Sequence, residues 1–202
     1  MAGTVILQVT AELTVAQWFL SPGKTLHTSW WHKLGLSTWM ALYQSTPSLA
    51  RHIDLYIRHA MNMPELIVTP SSFSDIQKSM FTSVKRLPKL IVALGLLLLE
   101  CPDYLLRREY RQQLETVLDE MSINQLWMLW RGQKREPNIN AQDLIDAAWD
   151  CGYYSLAELQ KNDPLWCALR LQLPAPKELS QDKLTPATEV VWSEFRRLER
   201  FL

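Results

Sequence analysis

The sequence predicts an all-α protein, an irregular multi-helix globular fold around one central apolar helix. The strongest observation is a run of ten consecutive apolar residues at 90–99. The second is that apolar residues recur at intervals of three and four along most of the chain after residue 36. The third is that strand-like alternation is limited to residues 5–9, which we interpret as a short extended arm or a disordered end.

The central helix is predicted over about residues 88–100. Pro88 suits its first turn, because the N–H that proline lacks has no helical partner there. The run is apolar on every side, so other protein must surround it. A membrane span needs about 20 such residues, and this run has roughly half that number. The sequence therefore predicts a buried helix covered by the other helices.

Amphipathic helices are predicted on both sides of this core helix. Residues 48–61 show helical spacing between Pro47 and Pro64, and residues 73–84 repeat the pattern. After the core helix, residues 103–121 carry one apolar face and are predicted to form a single long helix.

The C-terminal half is predicted to contain shorter helices. Ser122 is predicted to cap the helix that follows it, and Asn140 to cap a helix that ends near Gly152. Residues 132–139 read as a loop. Further helices are predicted at 155–161, 163–173 and 186–202.

The domain prediction is a single helical domain over residues 1–202. It allows an N-terminal subregion at 1–45 and a C-terminal helix at 186–202, after a polar linker that begins at Pro174. The chain length suits one large domain with a sizeable core.

Composition argues against several classes of function. The chain has 21 basic and 21 acidic residues, so no overall field attracts nucleic acid or an anionic membrane. Its three cysteines, an odd number without metal-ligand spacing, indicate a reducing compartment and buried thiols. The first residues lack a basic region followed by an apolar one, so no secretory signal is predicted.

No set of residues predicts catalysis, a cofactor or a metal. Asp143, Asp146 and Asp150 share one helical face, which we interpret as solvated. The four histidines do not show the i, i+4 spacing at which two imidazoles on a helix bind zinc. Cys151 has no histidine near it in sequence and is interpreted as a buried thiol.

The nine tryptophans suggest a binding surface. Tryptophan is enriched at interaction hot spots, because its large rigid surface is desolvated at little entropic cost. Trp30 and Trp31 lie in a region of poor helical periodicity, and we expect them to be exposed there. His27 is expected to fix this loop by hydrogen bonds. The predicted interface residues are Trp30, Trp31, His27 and Trp192, whereas Trp127, Trp130, Trp149 and Trp166 are predicted to fill the core.

Three segments, in order along the chain, resemble the SctK family (YscK, PscK, OrgA, MxiK). The first is similar to the family's N-terminal motif at Leu20, Pro22, Leu26 and His27, with Lys24-Thr25 where the family usually has an aromatic residue. The second combines Arg86-Leu87-Pro88 with Leu94-Gly95, and the third runs from Trp166 to Pro174.

The resemblance implies a non-catalytic helical adaptor of the sorting platform of the bacterial type III secretion injectisome. SctK proteins link the cytoplasmic domain of the inner-membrane ring protein SctD to SctQ, and through SctQ to SctL and the SctN ATPase. The implied location is the bacterial cytoplasm, at the cytoplasmic face of the inner membrane. The resemblance implies no nucleic-acid partner and no insertion into the membrane.

Two alternatives stay open at this point. One is a helical type III secretion chaperone or regulator, although neutral charge differs from the strong acidity of many such chaperones. The other is a small helical enzyme or lipid-binding protein with a pocket beside residues 90–99.

Overall fold

The computed structural model describes residues 12–65, 69–131, 135–177 and 188–202, and all regular secondary structure within these ranges is helical. The prediction of an all-α fold is confirmed. The predicted arm at residues 5–9 lies outside the described residues.

The α-helices are residues 12–20 (α1), Thr28–Lys33 (α2), Met40–Ser45 (α3), Pro47–Ala60 (α4), Asp75–Thr82 (α5), Leu87–Leu98 (α6), Asp103–Leu106 (α7), Arg108–Leu114 (α8), Glu120–Leu129 (α9), Leu144–Leu159 (α10), Pro164–Leu169 (α11) and Thr188–Phe201 (α12). Short 3₁₀ helices occur at Pro22–Lys24, Ser37–Trp39, Pro70–Ser72, Ala141–Asp143 and Arg170–Gln172. No helix among the described residues combines the length and the apolar character that a membrane span requires.

The chain divides into two compact units. Unit 1 comprises Met1–Phe81 together with Asn162–Ala175, and unit 2 comprises Thr82–Lys161 together with Pro176–Leu202. Each unit therefore contains two separate stretches of chain. The single domain over residues 1–202 remains a prediction.

The core of unit 2 is the contact between α6 and α10. Residues such as Leu90 and Leu94 are completely buried, which confirms the predicted central helix. Two glycines allow the helix backbones to touch. A Cβ atom on Gly95 would lie 1.8 Å from the Ala148 carbonyl oxygen, and one on Gly152 would lie 2.0 Å from the Ile91 carbonyl oxygen. Only hydrogen fits at these two positions.

The prediction that a helix ends near Gly152 is wrong, because α10 continues to Leu159 and absorbs the start of the segment predicted at 155–161. A glycine after a helical pattern indicates a C-terminus when the chain needs a left-handed residue there. Gly152 instead lies in the middle of the helix, where the close approach of α6 requires a residue without a side chain.

The single helix predicted over 103–121 is also wrong. Arg107 is extended, with φ −73° and ψ 135°, and separates α7 from α8. Tyr104 and Tyr110 are six positions apart, so they would point to different sides of one straight helix. The break lets both rings turn inward and meet edge to face, with centroids 4.9 Å apart. Leu106, on the predicted apolar face, is left exposed.

The cap of α9 is Asp119 rather than the predicted Ser122. The Asp119 carboxylate accepts the backbone N–H of Ser122 at 2.8 Å. This hydrogen bond, together with a second from the Ser122 side chain, lowers the pKa of Asp119. Ser122 is therefore the donor in this cap, and its side chain is buried.

The C-terminal helix docks on unit 2 as its pattern predicts. Val191, Phe195 and Leu198 are buried, and they mark the apolar stripe of α12. Nη1 of Arg197 donates to both carboxylate oxygens of Glu194, and Nη2 donates to the Leu129 carbonyl oxygen at 2.8 Å. The side chain of Arg197 thus ties the end of α9 to α12.

Unit 1 contains two helices, α1 and α2, in the first 36 residues, where the spacing of apolar residues predicts none. Trp18 on α1 is buried, and its ring lies 5.5 Å from that of Phe81. The predicted helix at 48–61 is confirmed as α4. These early helices bury several of the tryptophans that crowd the N-terminal region.

Candidate functional site

Two of the three segments that resemble the SctK family meet within unit 1. The backbone N–H of His27 donates to the Leu171 carbonyl oxygen at 2.9 Å. The backbone N–H of Ala175 donates to the Ser29 hydroxyl at 2.7 Å. The indole N–H of Trp30 donates to the Leu173 carbonyl oxygen at 2.9 Å and also contacts the Arg170 carbonyl oxygen at 3.3 Å. The N-terminal motif is thus held by the segment that begins at Trp166.

His27 is the N-cap of α2. Its Nδ1 accepts the backbone N–H of Ser29 at 3.3 Å and lies 2.8 Å from the Ser29 hydroxyl oxygen. The Ser29 hydroxyl also accepts the backbone N–H of Ala175, which links the cap to the chain directly after the third segment. Burial lowers the pKa of His27, which favours the neutral ring that accepts at Nδ1. The expectation that His27 fixes this loop by hydrogen bonds is confirmed.

The expectation that Trp30 and Trp31 are exposed is wrong, since only 5% and 3% of their surfaces are accessible. Trp30 can be buried without an unpaired donor, because its indole N–H binds backbone carbonyls of the 170–173 segment. Trp31 packs edge to face against Tyr43, with centroids 5.4 Å apart. Their assignment as partner-interface residues stays a prediction.

Trp192, the fourth predicted interface residue, is half-buried on α12. Its ring stacks on Phe195 with centroids 5.8 Å apart, and the Arg196 guanidinium lies 5.5 Å from the ring centroid. One face of the indole therefore packs on its own helix. Its role as an interface residue also stays a prediction.

A buried carboxylate organises the neighbouring part of unit 1. Asp54 on α4 is only 6% exposed and accepts the backbone N–H of Gly23 at 2.9 Å. The Tyr43 hydroxyl lies 3.0 and 3.2 Å from the two carboxylate oxygens. Burial raises the pKa of Asp54, while these hydrogen bonds act in the opposite direction. Burial and the Asp54 charge both raise the pKa of Tyr43.

Gly23 is required at this cluster for a steric reason. A Cβ atom at this position would lie 2.6 Å from the Tyr43 ring and 3.0 Å from an Asp54 oxygen. Without that atom, the ring of Tyr43 covers the 3₁₀ turn at Pro22–Lys24. The cluster joins α3, α4 and this turn.

An open cavity of about 820 Å³ lies beside the cluster, within the size range of ligand and side-chain pockets. Its walls are partly apolar and partly charged. The residues that line it are Ser21, Gly23, Lys24, Leu26, Thr28, Trp31, Met40, Tyr43, Gln44, Pro47, Ala50, Arg51 and Asp54. Lys24 and Arg51 are exposed, and neither forms an ion pair with any residue in the described ranges.

Unit 2 has an exposed apolar surface of its own on α9. Met128 is 83% exposed and Trp127 is 41% exposed, so the prediction that Trp127 fills the core is wrong. Met121 lies on the same side of the helix and is also exposed. Ile123 and Leu126 occupy the buried face of α9, which leaves Trp127 at its exposed edge.

The acidic face of α10 is only partly solvated. Asp143 and Asp146 are exposed, but Asp150 is buried and accepts the backbone N–H of Lys177 at 3.0 Å. The Lys177 ammonium pairs with Asp146, which raises the pKa of Lys177. The solvated-face interpretation is therefore wrong for Asp150, whose carboxylate anchors the chain at Lys177.

Within the described ranges, no group of three or more His, Cys, Asp or Glu side chains could hold a metal ion. Cys101 is buried, as predicted, whereas Cys151 and Cys167 are half-buried, and all three are free thiols. Burial raises the pKa of Cys167, which disfavours its reactive thiolate.

Comparison with known proteins identifies a family. The sequence model of a family described as "Type III secretion system subunit" matches residues 13–175. This range is more than half of the chain, and it includes both segments that interlock at His27 and Trp30. No curated protein and no solved structure matches the chain.

Proposed function

Because this chain belongs to a family of type III secretion system subunits, we propose that it is a non-catalytic, SctK-like adaptor of the injectisome sorting platform. In this role it links the cytoplasmic domain of SctD to SctQ, and through SctQ to SctL and the SctN ATPase. Its proposed location is the bacterial cytoplasm, at the cytoplasmic face of the inner membrane.

The family match over residues 13–175 carries the proposal. The contacts that the SctK-like segments make also support the proposal. His27 of the first segment, and Trp30 shortly after it, donate to backbone carbonyls of the third segment, so both segments belong to one interlocked structure. The second segment supplies Gly95, which sets the contact between α6 and α10. His27 and Gly95 of these motifs therefore have defined structural roles.

An adaptor needs separate surfaces for separate partners, and each unit offers one. Unit 1 exposes Met40 at its cavity, with Trp39 and Leu42 exposed close to it in sequence, and unit 2 exposes Trp127 and Met128 on α9. Exposed tryptophan and methionine side chains supply large contact areas at low ordering cost. These surfaces support a role in binding proteins.

Affinity purification of the tagged full chain from its native bacterium tests this function. We expect mass spectrometry to recover SctD and SctQ together with the bait. Recovery of a lone secreted effector, without ring or pod proteins, would contradict the adaptor role and favour the chaperone alternative.

A variant series extends the same experiment to single surfaces. The double change Trp127→Ser and Met128→Ser should weaken recovery of one partner without a change in the melting temperature, because both side chains are exposed. Phe201→Ser, at another exposed apolar site, is the matched control. Trp192→Ala tests the C-terminal helix, and normal recovery of both partners would assign that helix a structural role.

A further inference from the structure

The cavity of unit 1 has two chemically different sides. Met40 and Leu26 contribute apolar surface, while Lys24 and Arg51 place two cations at the opening. These cations lack acidic partners among the described residues. A ligand with both an apolar part and negative charge matches this arrangement.

The charge pattern of the surrounding chain has the same sign. Residues 13–64 contain one acidic residue, Asp54, against Lys24, Lys33, Arg51 and Arg58, and they also contain all four histidines of the protein. Although the whole chain has no net charge, this region is cationic. The excess is local, because unit 1 as a whole has six basic and five acidic residues. It therefore favours an acidic partner only close to the cavity.

Asp54 offsets only part of the positive charge at the cavity opening, because its carboxylate, whose pKa the Lys24 charge lowers, is one acid against two cations. Asp54 is buried, and its carboxylate is occupied by the Gly23 N–H and the Tyr43 hydroxyl. Lys24 and Arg51 by contrast are exposed to a partner. The cluster therefore shapes the cavity, while the two cations give it its charge.

The apolar side of the opening extends onto α3. Tyr43 is the only residue of this helix that is buried, and it connects α3 to Asp54. Met40 and Leu42 are exposed, as is Trp39 just before the helix. Of these three residues, which we call the α3 strip, Met40 lines the cavity, so apolar surface lies next to the cationic opening. This arrangement suits an amphipathic segment.

We propose that this cavity, with Lys24, Arg51 and the α3 strip, binds an acidic amphipathic segment of a partner protein. An apolar side chain of that segment enters between Leu26 and Met40, and its carboxylates pair with the two cations. The inference rests on the proposed adaptor function only for the source of the segment, a protein of the secretion apparatus.

The first test places a photo-crosslinking amino acid at Met40 of the full chain in the native bacterium. Mass spectrometry then identifies the crosslinked peptide. We expect a segment of one protein in which acidic residues outnumber basic ones and alternate with apolar residues. A basic or neutral segment, or no crosslink, would overturn the inference.

The second test measures binding of a synthetic peptide with the crosslinked sequence to the purified full chain by fluorescence anisotropy. Reversal of both cations, Lys24→Glu with Arg51→Glu, should weaken binding by about tenfold or more, and binding should weaken as salt rises. Lys78→Glu, an exposed cation of unit 1 outside the cavity, is the matched control and should leave binding unchanged. Equal affinities for all three proteins would refute the site.

Stability is measured for each variant by thermal unfolding. If the double reversal lowers the melting temperature, Lys24→Gln with Arg51→Gln removes the charges without adding new ones and must still weaken binding. The two proposals can fail separately. A crosslinked acidic segment from a protein outside the secretion apparatus would support the site and contradict the adaptor role. Recovery of SctD and SctQ together with a non-acidic crosslinked segment would support the adaptor role and contradict the site.

Discussion

Substitution of Gly152 by alanine adds one methyl group at the tightest point of unit 2. The new Cβ would lie 2.0 Å from the Ile91 carbonyl oxygen, whereas ordinary contact begins near 3.4 Å. The helices α6 and α10 must therefore separate locally by about 1.4 Å. The obstacle is backbone, so no side-chain rotation can relieve the clash.

The expected cost follows from two opposing terms. Overpacking of a well-packed core costs about 1–3 kcal/mol, and a clash against backbone belongs at the upper end of that range. Alanine is the better helix former by about 0.5–1 kcal/mol, which offsets part of the loss. We expect Gly152→Ala to destabilise the protein by about 2 kcal/mol, or about 4–8 °C in melting temperature for a chain of this size.

Urea and thermal unfolding, followed by circular dichroism, measure this effect. Ala157→Gly is the matched control in the same helix, at a half-buried position, and should cost about 0.5–1 kcal/mol through helix propensity alone. Gly95→Ala should behave like Gly152→Ala. The double variant should cost less than the sum, because one separation of the helices relieves both clashes. An unchanged or raised stability for Gly152→Ala would refute the close contact.

Four further predictions concern single sites. Leu94→Asp should leave little soluble protein on expression, because it buries an unpaired carboxylate in the core helix; normal yield would mean that this position is exposed. Asp143→Asn with Asp146→Asn should retain secretion, and the purified protein should bind no stoichiometric zinc or magnesium in elemental analysis. The pKa of His27 is lowered below 6.5, so the unfolded chain takes up a proton at a higher pH than the folded chain does. The stability of the protein should therefore fall as the pH drops below 6.5. His27→Asn keeps a cap, and its melting temperature should fall less than that of the wild type between about pH 7.5 and about pH 5.5. Trp30→Ala should lower the melting temperature clearly, since truncation of a buried tryptophan costs about 3–5 kcal/mol; an unchanged value would restore the earlier expectation of an exposed ring.

The core of the fold could be predicted from sequence because its signals are local. The apolar run at 90–99 has no polar side, so burial follows from composition alone. The stripe of Val191, Phe195 and Leu198 likewise shows which face of α12 is buried. Such patterns depend on residues within a few turns of one helix.

The features that escaped prediction depend on contacts between distant residues. In the sequence Gly152 indicates a helix end, and only its contact with Ile91 explains why this glycine lies within the helix. The sequence predicts that Trp30 is exposed, because the carbonyl groups that accept its indole hydrogen belong to residues about 140 positions later. The cavity beside Asp54 is formed by residues from four separate elements, the 3₁₀ turn at Pro22–Lys24 and the helices α2, α3 and α4. One signal was available in the sequence, because the lack of acidic residues in 13–64 apart from Asp54 already indicated a cationic surface.

The divided course of unit 1 has a consequence for synthesis of the protein. The carbonyl groups that receive His27 and Trp30 belong to residues 171–173, which leave the ribosome long after the helices that they complete. At a translation rate of about 5–20 residues per second, the chain from residue 64 to residue 175 takes about 5–20 s to make. During that interval Trp30 lacks the carbonyl groups that accept its indole hydrogen, and His27 lacks the carbonyl that accepts its backbone N–H. We therefore expect unit 1 to complete its packing only after residues 162–175 have been synthesised.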